Sequence, residues 1–257
     1  MVDNSFTVRR FLFISILLMV GLNALAQRQL VKNLTTFDDK RLHFGFTLAL
    51  NSLDFNINHY PTMDKNPNFD PLPGSEDFQY KYSTIRADVA SLTPGFTVGM
   101  VSNLRLGEYL DLRFLPGMSF SERKLVYNIP VIDNASETTE FYSIKSTFLD
   151  FPLLLKYKAK RMNNQRPYLI AGMAYRIDIS KTGVEDLVRL KPFSSSIEAG
   201  MGWDVYLQFF RLSTEFKFSF GLDNVLDTGP KATQMQVYSS AFSRLSSNMF
   251  IFSFHFE

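Results

Sequence analysis

Asp111, Arg113, Asp150, Lys156, Arg176, Asp178, Glu198, Asp204, Glu215 and Lys217 all stand in stretches where every second residue is large and apolar. Charges of both signs, so spaced, can neutralise one another in a confined interior or supply the acid and base of a reaction. In the second case Asp204 or Glu198 would be the acid/base. Little completes such a site. His43, His59 and His255 are scattered, and none has a carboxylate or second histidine at metal-ligand spacing. No G-x-S-x-G nucleophile elbow occurs. Gly200-Met201-Gly202 falls inside a strand pattern, where it relieves crowding rather than cradling a phosphate. A paired, structural charge network is therefore expected, with no catalytic residue, cofactor or metal.

The elements that would position these charges are strands. In "HFGFTLALN" (43–51), Phe44, Phe46, Leu48 and Leu50 share one parity and His43, Gly45, Thr47, Ala49 and Asn51 the other. A period of two puts the two sets on opposite faces of a sheet. The pattern recurs in "PGFTVGMVSN", "YLDLRFLPGMSF", "LDFPLLLKYK", "LIAGMAYRIDI", "IEAGMGWDVYLQ", "LSTEFKFSF" and "FIFSFHF", which makes eight strands.

The charged parity decides what the apolar parity touches. A soluble β-sandwich would turn its apolar faces inward and its charges out. Here the minority face is made of ionisable residues and glycines and the majority face of Phe, Leu and Met, which is the arrangement of a transmembrane β-barrel. Each stretch is about the ten residues needed to cross a bilayer at a tilt. The connections, at 59–92, 103–108, 122–143, 159–166, 181–193, 208–211 and 222–248, alternate long and short. The expected fold is all-β: an eight-stranded antiparallel transmembrane β-barrel over residues 43–257, with short periplasmic turns and long extracellular loops. Both termini would be periplasmic. An interior of eight strands is filled by side chains, so it should conduct nothing large.

Composition agrees with an envelope protein of this kind. Of 257 residues 26 are Phe, cysteine is absent, and Lys+Arg 27 against Asp+Glu 25 leaves no nucleic-acid footprint. At the N-terminus Arg9 and Arg10 precede an apolar run from Phe11 to Val20, followed by Ala24-Leu25-Ala26. This reads as a signal peptide, residues 1–26. Residues 27–42 then form a periplasmic N-terminal segment in which Leu30, Leu34 and Phe37 fall at helical spacing, a candidate contact for partners.

"NLTTFDDKRLHFGFTLALN" (33–51), "LRFLPGMSFSERKLVY" (112–127), "KSTFLDFPLLLKYKAKRMNNQRPYLIAGMAY" (145–175) and "IEAGMGWDVYLQFFR" (197–211) resemble the PorT family of the Bacteroidota. The resemblance runs in order over nearly the whole mature chain. It implies an outer-membrane barrel required by the type IX secretion system, which exports proteins bearing a C-terminal sorting domain and, in gliding species, adhesins. Expected partners are other type IX secretion components, a large translocon barrel being one candidate, and outer-membrane lipid. Neither nucleic acid nor a small-molecule substrate is expected. The family carries no known catalytic residues to transfer. The alternatives are a small outer-membrane enzyme of lipid acyl transfer or proteolysis, and a generic barrel for adhesion or envelope integrity.

Overall fold

A computed structural model describes residues 31–130, 137–180, 188, 190–227 and 236–257; the expected signal peptide, Leu30, the link between 130 and 137 and parts of two long connections lie outside them. The described residues form ten strands: β1 (Leu42–His59), β2 (Arg86–Leu92), β3 (Pro94–Arg105), β4 (Leu110–Phe114), β5 (Gly117–Pro130), β6 (Glu137–Lys158), β7 (Gln165–Asp178), β8 (Phe193–Tyr206), β9 (Arg211–Gly221) and β10 (Phe242–Phe256). All pairings are antiparallel, and a short helix, α1 (Gln236–Ser240), precedes β10. No helix among the described residues is long and apolar enough to cross a membrane.

The ladders close into a ring of eight staves. From β1 the pairing runs through β10, β9, β8, β7, β6, β4 and β3, and returns to β1 where Leu42–Ser52 meets Leu104–Pro94. Two staves are interrupted. β4 and β5 lie in line between β3 and β6, broken at Leu115-Pro116, because proline has no N–H to give the ladder. β2 runs on into β3 across Thr93 before Pro94.

One end of the ring carries both described termini and the short connections 106–109, 159–164 and 207–210; the other carries every long connection. At that second end Asp223 accepts hydrogen bonds from the Ser195 amide and hydroxyl, both at 2.6 Å, which hold its carboxyl below the usual range.

The staves are longer than the sequence pattern suggests. Residues 122–143 are not a loop: Arg123–Pro130 of β5 pairs with Ile144–Glu137 of β6. In the same way β2 lies within 59–92, and β10 begins at Phe242. The reason is an inversion of polarity along the longer staves, as β1 and β5 show. In β1 Phe44, Phe46, Leu48 and Leu50 point out and Thr47 and Asn51 are buried, but beyond Ser52 the buried residues are Leu53 and Phe55 and the outward ones Asp54, Asn56 and Asn58. In β5 Ser119, Ser121 and Arg123 are buried below, Leu125, Tyr127 and Ile129 above, with Lys124 and Asn128 exposed opposite them. A search for outward apolar residues stops where the inversion begins. The lower part thus has a greasy outside and charged inside. The upper part has a polar outside and an apolar interior of Phe55, Met63, Phe69, Leu125, Tyr127, Phe242 and neighbours.

The inversion locates the hydrocarbon contact. Leu48→Arg, within the greasy belt, should cost about 2–4 kcal/mol, whereas Asn56→Arg on the same face of β1 should cost about 0–1 kcal/mol. Denaturant titration of folding into phosphatidylcholine vesicles measures both, and equal costs would remove the belt.

Candidate functional site

The most concentrated chemistry lies inside the greasy part of the ring, on the parity that faces the lumen. Arg113 of β4 is its node. One guanidinium nitrogen reaches Glu215 of β9 at 3.0 Å and another reaches Glu257, just past β10, at 3.0 Å. Arg211 donates to the second Glu257 oxygen at 2.5 Å and approaches Asp204 at 3.8 Å. Lys156 of β6 donates to both Asp204 oxygens at 2.8 Å and sits 3.7 Å above the Tyr168 ring. Tyr168 donates its hydroxyl to Glu215 at 2.8 Å. These side chains are wholly shielded from solvent, as single ions in such a place could not be.

The network continues toward the long-loop end. Lys217 bridges Glu198 at 2.9 Å and Glu215 at 3.9 Å, and His255 lies 3.5 Å from Glu215 with its other nitrogen 2.8 Å from Thr47. Arg176 spans Glu198 at 3.1 Å and Asp150 at 2.9 Å, and Ser119 donates to Asp150 as well. Toward the short-turn end Lys158 meets Asp111 at 2.6 Å, with Asn103 donating to the other oxygen at 2.9 Å. At the centre lies a cavity of about 30 Å3 beside Thr47, Ser119, Asp150 and His255, the room of about one water molecule. Above it Arg123, buried and with no carboxylate in contact among the described residues, lies against the Phe55 ring at 4.0 Å and donates to Ser146 at 2.6 Å. It marks the step from charged lumen to apolar interior.

Glycines make the fit possible. Gly202 stands directly opposite Tyr168, and a Cβ there would lie 2.3 Å from the phenol ring; at Gly200 it would meet the Phe216 carbonyl at 2.1 Å. Gly200 and Gly202 therefore make room for the strands and ring that surround the ion pairs.

Of the ten charges singled out by sequence, nine meet in this lumen. Asp178 does not: at the end of β7 it accepts the Ser180 amide at 2.9 Å and the Ser180 hydroxyl, because the strand ends there and its side chain turns to the local backbone. Sequence reasoning missed Glu257, Arg211, Lys158 and Tyr168 as members. Glu257 was readable by parity, two residues after His255, although it lies one residue past the strand.

The N-terminal segment is not a free helix. Leu34 takes a positive φ of 47°, and among the described residues of the segment only Phe37–Asp39 forms a helical turn. Residues 33–39 fold across the short-turn end as a cap. Asn33 donates its amide to the Asn164 side-chain oxygen at 2.8 Å and its side-chain amide to the Tyr206 carbonyl at 3.1 Å. The Asp38 carboxylate receives the Tyr206 hydroxyl at 2.9 Å and Arg166 at 3.3 Å. Phe37 stacks on His43 with centroids 4.0 Å apart, and the Arg211 guanidinium lies 4.7 Å over its ring. Phe37 thus packs over the mouth of the lumen, and the polar groups there hold the segment down.

Residues 25–227 match the family model described as outer membrane protein beta-barrel domain. None of the curated proteins compared with the chain matches it. Among solved structures it is similar to outer membrane protein OprG of Pseudomonas aeruginosa, with a TM-score of 0.41 and 11% identity over 84% of this chain and 91% of that one. It is also similar to outer membrane protein AlkL in DMPC bilayers, with a TM-score of 0.35 and 11% identity over 83% of this chain and 88% of that one.

Removing a shared carboxylate should be far costlier than removing a local one. Glu257→Ala, which strips a partner from both Arg113 and Arg211, should cost about 3–5 kcal/mol. Asp178→Ala should cost about 1 kcal/mol or less. The same vesicle titration measures both, and a small loss for Glu257→Ala would mean that the network does not hold the lumen together.

Proposed function

This chain belongs to the outer membrane protein beta-barrel domain family, and from that starting point we propose that it is a closed, non-enzymatic eight-stranded barrel serving type IX protein secretion as an accessory or assembly subunit. Its short turns, cap and both termini face the periplasm, and its long connections face outward, as is usual for such barrels.

The observation that carries the accessory role is the sealed lumen. Paired ions fill it, the 33–39 cap covers one mouth, and about 30 Å3 remains at its centre. No polypeptide passes through such a space, so cargo crosses elsewhere and the barrel works through its surfaces. The non-enzymatic reading is supported by the two carboxylates considered for acid/base work. Glu198 is held by Arg176 and Lys217, and Asp204 by Lys156 and Arg211. The secretion assignment rests on the resemblance of 33–51, 112–127, 145–175 and 197–211 to the PorT family. Partner contacts fall on the lipid-facing belt and on the turns, where Phe209 and Met162 stand exposed, rather than on Phe37.

Two measurements test this. Deleting the protein in its native bacterium should stop export of proteins bearing the C-terminal sorting domain; normal export would remove the secretion role. Purified wild-type barrel in planar bilayers should give no resolved conductance steps, and stable open channels would overturn the sealed lumen.

A further inference from the structure

Above the greasy belt the ring is closed by ladders only in part: β6 has no β7 partner before Phe148, β10 no β9 partner before Met249, and β1 no β3 partner beyond Ser52. β1 leaves β3 at Ser52 opposite Pro94. Beyond that point β1 keeps β10 on one side as far as His59, and β2 keeps β5 on its far side from Arg86 to Leu92, but no ladder joins β1 to β2. Between the two edges is a slot of about 790 Å3, bordered by Phe55, Asn56, His59, Arg86, Ala87 and Asp88. It lies above the greasy belt, where the outward residues are polar, so it opens to water rather than hydrocarbon.

Backbone groups on these edges are held by side chains standing where a strand would be. The Phe55 amide donates to its own neighbour Asp54 at 2.8 Å, and the Val89 amide to Asp88 at 2.7 Å. The imidazole of His59 reaches across to β2, where its Nε2 lies 3.0 Å from the Ala87 amide and 2.8 Å from the Ala87 carbonyl. An aspartate capping the next amide, and a histidine ring in place of a peptide group, are the devices of a strand edge that lacks its neighbour. Seven residues of β1, Leu53 to His59, span about 20 Å at roughly 3.3 Å per residue, long enough for a short strand.

We propose that this slot is a strand-addition site, taking an extended segment of a partner polypeptide between β1 and β2. The inserted strand is antiparallel to one edge and parallel to the other, since β1 and β2 run in opposite directions. It displaces His59, Asp54 and Asp88 from the backbone groups they hold. Phe55, Ile85 and Ala87 belong to the apolar interior, while Asn56, Arg86 and Asp88 face out. The segment that fits therefore alternates apolar and polar residues. The inference rests on the slot and not on the secretion assignment.

The test is a photo-reactive benzoylphenylalanine placed at Asn56 or at Asp88, one on each rim, in living cells, with adducts mapped to single peptides. Lys124, exposed on β5 and flanked by ladders on both sides, is the control position, and altered mobility on unheated gels verifies that each variant is folded. Both rim positions should label one and the same alternating stretch of one partner. A proline placed within that stretch should abolish both adducts, because it removes a backbone donor. Adducts confined to lipopolysaccharide, to this chain's own residues or to unrelated stretches overturn the proposal, as does labelling equal to that at Lys124, its complete absence, or adducts that survive the proline.

Discussion

A charge inside a narrow lumen walled by hydrocarbon must find an opposite charge within the lumen, and the rest of this molecule is arranged around that requirement. Arg113 is the clearest instance. It is shielded from water, and it touches carboxylates brought from β9 and from the chain end after β10. The strands that supply partners to this network come from most of the ring, so closing the ring and neutralising the charges are one event. Each ion pair offsets a desolvation cost of several kcal/mol per ion, so no member can be removed cheaply.

The same constraint explains the small residues and the cap. Ion pairs and the Tyr168 ring fit only because Gly200 and Gly202 leave space for neighbouring backbone and ring atoms. At the short-turn mouth, Tyr206, Arg166 and Arg161 would face the opening with their polar groups half satisfied. Asn33 and Asp38 satisfy them, and Phe37 closes over His43. At the other end the demand changes sign. Once the staves leave the membrane their outer faces can be polar, and the interior is built as in a soluble protein, from Phe55, Leu125, Tyr127 and Phe242. Arg123, between Phe55 and Phe148, sits at the junction of the two regimes.

The polarity inversion also explains why β1 and β2 can part. Below Ser52 an unpaired backbone edge would face hydrocarbon, where each unsatisfied group costs several kcal/mol, and there the β1–β3 ladder is complete. Above it, Asp54, Asp88 and His59 can serve the free edges in water. A seam that is intolerable within the bilayer is permissible a few residues higher.

The residue sequence alone determined the alternation, and with it the strands of the greasy belt, the outward Phe and Leu, and most of the inward charges. These are local: the parity of a side chain along a strand follows from backbone geometry. It left the upper staves, such as Arg123–Pro130, unread, because there the alternation persists while its polarity is reversed. Tertiary structure alone decided which charge meets which, that Asp178 stays with Ser180, that Glu257 enters the lumen, and that Phe37 seals its mouth. Those outcomes depend on the stagger between strands and on the closure of the ring, which bring together residues as distant as Arg113 and Glu257. No period read along one strand contains that stagger.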